Sequence, residues 1–287
     1  MENENIMSKE KIKISELKLR IKDNLIGFEH LSMGDYTDNY NVNSTQLQES
    51  YIYIVSKYPY LKNVFLNIVN IVINNNFDPC GIILLSTYYL QQIEESSINI
   101  INYINELRKH KRDSDYLLSS LSVLRVGFHL MKNNINFEFP PRKKGQANPD
   151  IIVNINNEYF KIDIKGRGAS RLKRLAFQFA SVIENPNHPN EWHSFDEGIQ
   201  DELEKSELRR LVEKAFTEQK VDMLIIDETY NLFQIGGIFM LSEMDERNPE
   251  SNIFSFKKDN LIFCSFFNGK FRYFEINKDL FLEETNG

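Results

Sequence analysis

The chain has 287 residues, with 34 Lys and Arg against 41 Asp and Glu, a net charge of −7. Hydrophobic residues make up 41% and charged ones 26%, which excludes wholesale disorder and leaves enough chain for one large domain or two smaller ones. The acidic total excludes a histone-like protein that coats nucleic acid by bulk charge, but not a local basic face.

Cys80 and Cys264 stand far apart and make neither a metal spacing nor a disulfide framework, so a reducing compartment is expected. The opening MENENIMSKEKIKISELKLR is charged and lacks the apolar core of a signal peptide. The most apolar run, VFLNIVNIVI (64–73), falls short of the roughly 18 apolar residues of a membrane helix. A cytoplasmic protein without a membrane partner is the expectation.

In chain order, the polar stretch NYNVNSTQ (39–46) reads as loop or partly disordered chain. Leu61, Val64, Phe65, Ile68, Val69 and Val72 recur at three- and four-residue steps and predict one helix face. Asp78-Pro79 can cap and open the next helix, through GIILLSTYYLQQI, and another helix is expected over roughly 97–110. Leu117, Leu121, Leu124, Phe128 and Met131 predict an amphipathic helix with one apolar stripe.

The period then changes. INFEF (135–139), PDIIVNI (149–155) and EYFKIDIK (158–165) read as strands, with a tight turn at Asn156-Asn157. A helix is expected within 170–184, followed by a Pro/Asn-rich loop over 185–198 that carries His188, Trp192, His193 and Asp196. Leu208, Leu211, Val212, Ala215 and Phe216 mark a further helix, and VDMLIID (221–227) a buried strand. LIFCSFF and KFRYFEI flank Asn268-Gly269, a strong hairpin signal. The expected fold is mixed α/β: a helical region over 1–112, then over 113–287 a mixed-sheet core flanked by helices and ending in a β hairpin.

The chemistry-bearing stretch is NPDIIVNINNEYFKIDIKGR (148–167). Antiparallel neighbours joined by a tight turn bring Asp150, at the start of one strand, beside Asp163, at the end of the next. Strand alternation puts Asp163 and Lys165 on one face and turns Ile164 away. Two carboxylates and an amine at one sheet edge suit metal-assisted phosphodiester hydrolysis. Mg²⁺ (or Mn²⁺) takes oxygen ligands and keeps waters, and no His or Cys stands here to favour zinc.

At these residues the sequence resembles the PD-(D/E)xK nuclease superfamily, whose fold is restriction-endonuclease-like. Pro149-Asp150 resembles the PD element and Asp163-Ile164-Lys165 the (D/E)xK element, within a matching order of helix and strands over roughly 113–227. The resemblance implies a nuclease core with Asp150 and Asp163 as metal ligands and Lys165 as the catalytic lysine. It also implies that Ile164 adds its backbone carbonyl to the metal. The implied activity is a Mg²⁺-dependent endonuclease of DNA, of a kind found in restriction and phage defence, as a homodimer or within a larger complex.

The sequence departs from the family at one point. Many members carry a further acid on the preceding helix, whereas Leu117–Asn134 contains no Asp or Glu and the corresponding positions hold Ser122 and Val123. Asp113, Asp115 and Glu138 are the nearest substitutes. The alternative expectation is therefore a catalytically inactive core of the same fold that binds nucleic acid or a partner.

Charge distribution adds support. Between Arg142 and Arg174 there are nine basic residues and three acids, a local +6 that leaves −13 for the rest. Arg142, Lys143, Lys144, Arg167, Arg171, Lys173 and Arg174 are the candidate phosphate-backbone contacts. His129, inside an apolar helix, reads as a core residue. Lys205, Arg209 and Lys214 are candidates for the cleft side of the charged helix, and Asp227 and Glu228 for neighbours of the site. The aromatic hairpin (Phe263, Phe266, Phe267, Phe271, Tyr273, Phe274) reads as core or a dimer surface.

Overall fold

A computed structural model describes residues 44–73, 79–110, 114–142, 148–166, 208–227, 253–267 and 270–281, together with Leu19 and Asp23. Helices α1 (Ser44–Lys57), α2 (Leu61–Ile73), α3 (Pro79–Glu95), α4 (Ile101–Lys109) and α5 (Ser114–Lys132) precede the strands. Strands β1 (Phe137–Glu138), β2 (Ile151–Ile155), β3 (Glu158–Gly166), β4 (Met223–Asp227), β5 (Asn260–Phe267) and β6 (Lys270–Asn277) form one sheet in sequence order. Helix α6, over 208–218, precedes β4 and closes in a π turn at Lys214–Glu218.

Helix α1 begins inside the stretch expected to be loop. Its Leu47, Tyr51, Ile54 and Val55 are buried at helical spacing, so packing overrides the polar composition of residues 44–46. The predicted face of α2 is buried at Leu61, Val64, Phe65, Ile68 and Val69. Helix α5 departs from expectation more sharply. It is buried on every side from Ser120 to Leu130 instead of along one stripe, because it lies between α3 and the sheet and touches both. Its polar members Ser120, Ser122, Arg125 and His129 are thus forced to find internal partners.

The strands follow the predicted alternation. β1, β2 and β3 are antiparallel, and β4 pairs in parallel with both β3 and β5. All five residues of β4 are buried, as a strand with parallel neighbours on both sides requires. β5 and β6 pair antiparallel with Phe267 opposite Lys270, so two residues connect them; Asn268 and Gly269 themselves lie outside the described residues. Ile151, Val153, Phe160, Ile162, Ile164, Met223, Ile225 and Ile262 face α5 and join one core with the buried residues of α1 to α5. The opposite face holds a second core in which Val212 and Ala215 of α6 cover Leu224, Ile226, Leu261 and Phe263.

The β2–β3 turn carries the site's register. Asn156 and Asn157 both have positive φ, 52° and 68°, the requirement of a type I′ hairpin. Asn157→Ala is therefore expected to cost about 1 kcal/mol and Asn157→Gly to cost nothing, read from denaturant midpoints at unchanged slope. Equal stability of the two variants would contradict the turn assignment.

Candidate active site

Asp150 immediately precedes β2, and its amide donates to the Ile162 carbonyl at 2.9 Å. β3 runs on past the start of β2, so its last residues have no strand partner on that side. Asp150 supplies one: its Oδ2 accepts the Ile164 amide at 2.8 Å. In an extended strand the N–H and C=O of one residue point to the same edge, so the Ile164 carbonyl also faces Asp150. Asp163 and Lys165 project from the opposite face to Ile162 and Ile164, and Lys165 Nζ lies 2.7 Å from Asp163 Oδ1. Asp150 and Asp163 are both buried, whereas the Lys165 side chain is 30% exposed and forms the solvent boundary of the cluster. The expected convergence of two carboxylates and an amine is thus present.

The electrostatics follow from the burial. Asp150 is pushed up to about 7, first by loss of water and then by the negative charge of Asp163. The cations of Lys165 and Arg142 oppose this without cancelling it. For Lys165, burial works against the charged form, but the carboxylates of Asp163 and Asp150 outweigh it and raise its pKa. Lys165 therefore stays an ammonium. Asp163 Oδ2 is buried and receives no N–H or hydroxyl donor, the kind of acceptor that requires an explanation; the Asp150 carboxyl, when protonated, is the hydrogen-bond partner at hand for Asp163.

This donor set fits a hard divalent cation. A dication would relieve the like-charge pair, engage Asp163 Oδ2 and take Asp150 and the Ile164 carbonyl as further oxygen ligands. No group of three or more His, Cys, Asp or Glu side chains able to hold a metal occurs among the described residues, so water and substrate phosphate would complete the shell. Of the expected third acids, Glu138 is exposed on β1 opposite Ile152. That puts it on the face of Asp150, one register step away. Asp113 and the side chain of Asp115 lie outside the described residues.

Arg142 is placed where the sequence alone did not put it. Its guanidinium binds Asp150 Oδ1, stacks 5.6 Å from the Tyr116 ring centroid and has its Nε 3.8 Å from Glu106 Oε2. Lys143, Lys144, Arg167, Arg171, Lys173 and Arg174 lie outside the described residues, as do Lys205, Glu228, the expected helix within 170–184 and the His188–Asp196 loop. Arg209 and Lys214 sit on α6, with Lys214 exposed. Asp227, at the end of β4, is turned to the α5 side of the sheet and buried against Arg125. His129 is buried, its ring 3.7 Å from that of Phe271 and its Nε2 3.3 Å from Asn133 Nδ2, as a core histidine should be. Phe263 and Tyr273 of the hairpin are core residues.

The raised carboxyl makes a stability prediction with a definite sign. An unfolded Asp titrates near 3.9 and the folded Asp150 near 7. Between those values the folded state holds more protons, so metal-free stability falls as pH rises through that window and the penalty is complete above pH 7. Asp150→Asn removes this penalty while its side-chain oxygen can still accept the Ile164 amide. Its melting temperature in EDTA is expected to exceed that of wild type by a few degrees at pH 8, on the order of 1 kcal/mol, and by less at pH 5. An advantage that shrinks toward pH 8 would show that the carboxyl is not held up.

No protein-family model matches the chain, and neither the curated proteins nor the solved structures give a match. No described helix is long and apolar enough to cross a membrane.

Proposed function

We propose that this chain is a metal-dependent nuclease acting on DNA, with a restriction-endonuclease-like core made of α5, β1, β2, β3 and β4. The observation that carries the reading is the buried pair Asp150 and Asp163 on one sheet face, with Asp163 Oδ2 receiving no N–H or hydroxyl donor and the Lys165 ammonium on Oδ1. Buried like-charged carboxylates destabilise a fold, and such perturbed groups concentrate at functional sites. The resemblance to the PD-(D/E)xK superfamily supports the same assignment. Restriction or phage defence is the setting it implies, with a homodimer as the simplest arrangement for cutting both strands.

A Mg²⁺ or Mn²⁺ ion held there would polarise the scissile phosphate and lower the pKa of a bound water. Asp163 and Asp150 hold that position open by offering oxygens that the fold leaves unsatisfied or forces to protonate. Lys165, at the solvent boundary, donates to the attacking water or to the non-bridging phosphate oxygen and offsets the charge that develops in the transition state. The raised pKa keeps its proton in place for this role. The test is cleavage of plasmid and linear DNA, beside RNA, across Mg²⁺, Mn²⁺, Ca²⁺ and EDTA. Cutting under Mg²⁺ or Mn²⁺ alone is the expected result, and intact DNA under every metal would overturn the reading.

A second reading is a catalytically inactive core that binds nucleic acid. It is favoured by the absence of a third acidic group beside Asp150 and Asp163 among the described residues, and by Arg142 on Asp150. It predicts salt-sensitive DNA binding with no Mn²⁺ uptake by calorimetry.

A further inference from the structure

Next to the site, on the far side of Arg142, lies a cleft of about 460 Å³ between α4 and the segment Pro141–Arg142. Arg108, Lys109 and Arg142 line it together with the amides Asn102 and Asn105. Its one acid, Glu106, is buried and already answered by Lys109 and by the nearby His110 and Arg142. The lining thus carries three cations against one carboxylate, a local surplus of positive charge even with Lys109 and Arg142 drawn toward Glu106, and Arg108 and Lys109 are exposed on its wall.

The two walls are tied together. Asn102 Nδ2 donates to the Phe139 carbonyl at 2.9 Å, and Tyr103 lies with its ring 5.1 Å from that of Phe139. Helix α4 therefore holds the chain end that delivers Arg142. Arg142 is shared between the cleft and the site, since the same guanidinium binds Asp150. An arginine that already bridges two carboxylates can trade either for a phosphate, its best bidentate partner.

We infer that this cleft is a backbone-phosphate subsite for DNA, in which Arg108 and Lys109 of α4 extend the nucleic-acid surface from the catalytic cluster into the N-terminal helical region. The inference deepens the nuclease reading and rests on it for the choice of ligand. The chemistry is its own: exposed guanidinium and ammonium groups for phosphate oxygens, and amide side chains for the sugar-phosphate edge without base reading. The order of the sequence conceals the site, because Arg108-Lys109 and Arg142 are separated by the whole of α5 and β1 and meet only in the fold.

The test is binding, not cleavage. A fluorescein-labelled 20-base-pair DNA duplex is titrated with the full chain in EDTA at several salt concentrations. For Arg108→Gln with Lys109→Gln the expected result is about a tenfold loss of affinity, equal for unrelated sequences, with the salt slope reduced by roughly 2. Asn105→Glu, an exposed position that puts a carboxylate into the cleft, should weaken binding as well. Lys258→Gln, an exposed lysine remote in sequence on the segment before β5, should change neither quantity.

Wild-type affinity and slope in the cleft variants, or an equal loss in Lys258→Gln, would overturn the inference. Binding that responds as expected in a protein that never cuts DNA would sink the nuclease reading and leave the subsite standing. Cleavage with cleft variants that bind normally would do the reverse. No duplex binding by wild type would remove the subsite, while the nuclease reading would still stand or fall on cleavage under Mg²⁺ or Mn²⁺.

Discussion

Asp163→Ala and Lys165→Ala are each expected to lower metal-dependent DNA cleavage at least about a hundredfold, an effect on the order of 3 kcal/mol in the barrier. The two should fail differently. Asp163→Ala removes the carboxylate whose Oδ2 receives no N–H or hydroxyl donor and whose Oδ1 holds Lys165, so Mn²⁺ uptake measured by calorimetry should disappear with the activity. Lys165→Ala leaves both carboxylates in place. Mn²⁺ binding should persist or tighten, because the competing ammonium is gone, while turnover collapses. The double variant should be no slower than the worse single one, since groups that serve one reaction centre are not additive. Circular dichroism and melting curves separate these outcomes from unfolding. Asp163→Ala relieves the crowding of Asp150 by a second carboxylate but takes the ion-pair partner from Lys165, so its melting curve is the necessary control. Wild-type cleavage by either variant would remove the site from this sheet edge.

How much of this site could be read from the residues depends on the range of the contact. The pairing of Asp150 with Asp163 was legible because it is short-range physics: alternation fixes the face, and the two-residue turn at Asn156-Asn157 fixes the register. The same logic gives the antiparallel β2–β3 pair, and the unbroken apolar run over 221–227 gives the buried β4, whereas the pairing of β1 with β2 comes from the structure. The position of Arg142 on Asp150 was not legible. Arg142 follows two prolines and precedes a basic run, and nothing in that string distinguishes a phosphate ligand from an internal partner. The depth of α5 is not legible for a related reason. Its leucine stripe accounts for one face, and the polar Ser122 and Arg125 on the others carry no sign that they are buried. Only the sandwiching of α5 between α3 and the sheet turns those faces inward. Helix α1 began early because packing at Leu47 and Tyr51 outweighs the turn-forming character of Asn43-Ser44. Polar residues in buried elements are the positions where composition misleads.

Arg125 and Asp227 supply the sharpest test of that point. They are 102 residues apart, and both are buried: Arg125 Nε donates to Asp227 Oδ2 at 3.1 Å while its Nη2 donates to Ser122 Oγ at 3.1 Å. The pair pins the end of β4 to α5. Asp227 stands in register with Gly166, the residue after Lys165, but on the opposite face from Asp163 and Lys165. Asp227→Ala strips a buried guanidinium of its counter-charge and is expected to cost about 3–5 kcal/mol, a fall in melting temperature of about 10 °C. Arg125→Met should cost a similar amount by leaving the carboxylate uncompensated. Combining Arg125→Met with Asp227→Leu should recover most of the loss, because an apolar pair of similar volume needs no desolvation repaid. The metal readout then decides what the pair is for. If it only locks α5 to the sheet, the combined variant should bind Mn²⁺ like wild type, since Asp150 and Asp163 hang from the other face. If Mn²⁺ affinity drops while stability is restored, the charge pair also positions the end of β3, and the sheet carries the effect through one peptide plane to Lys165.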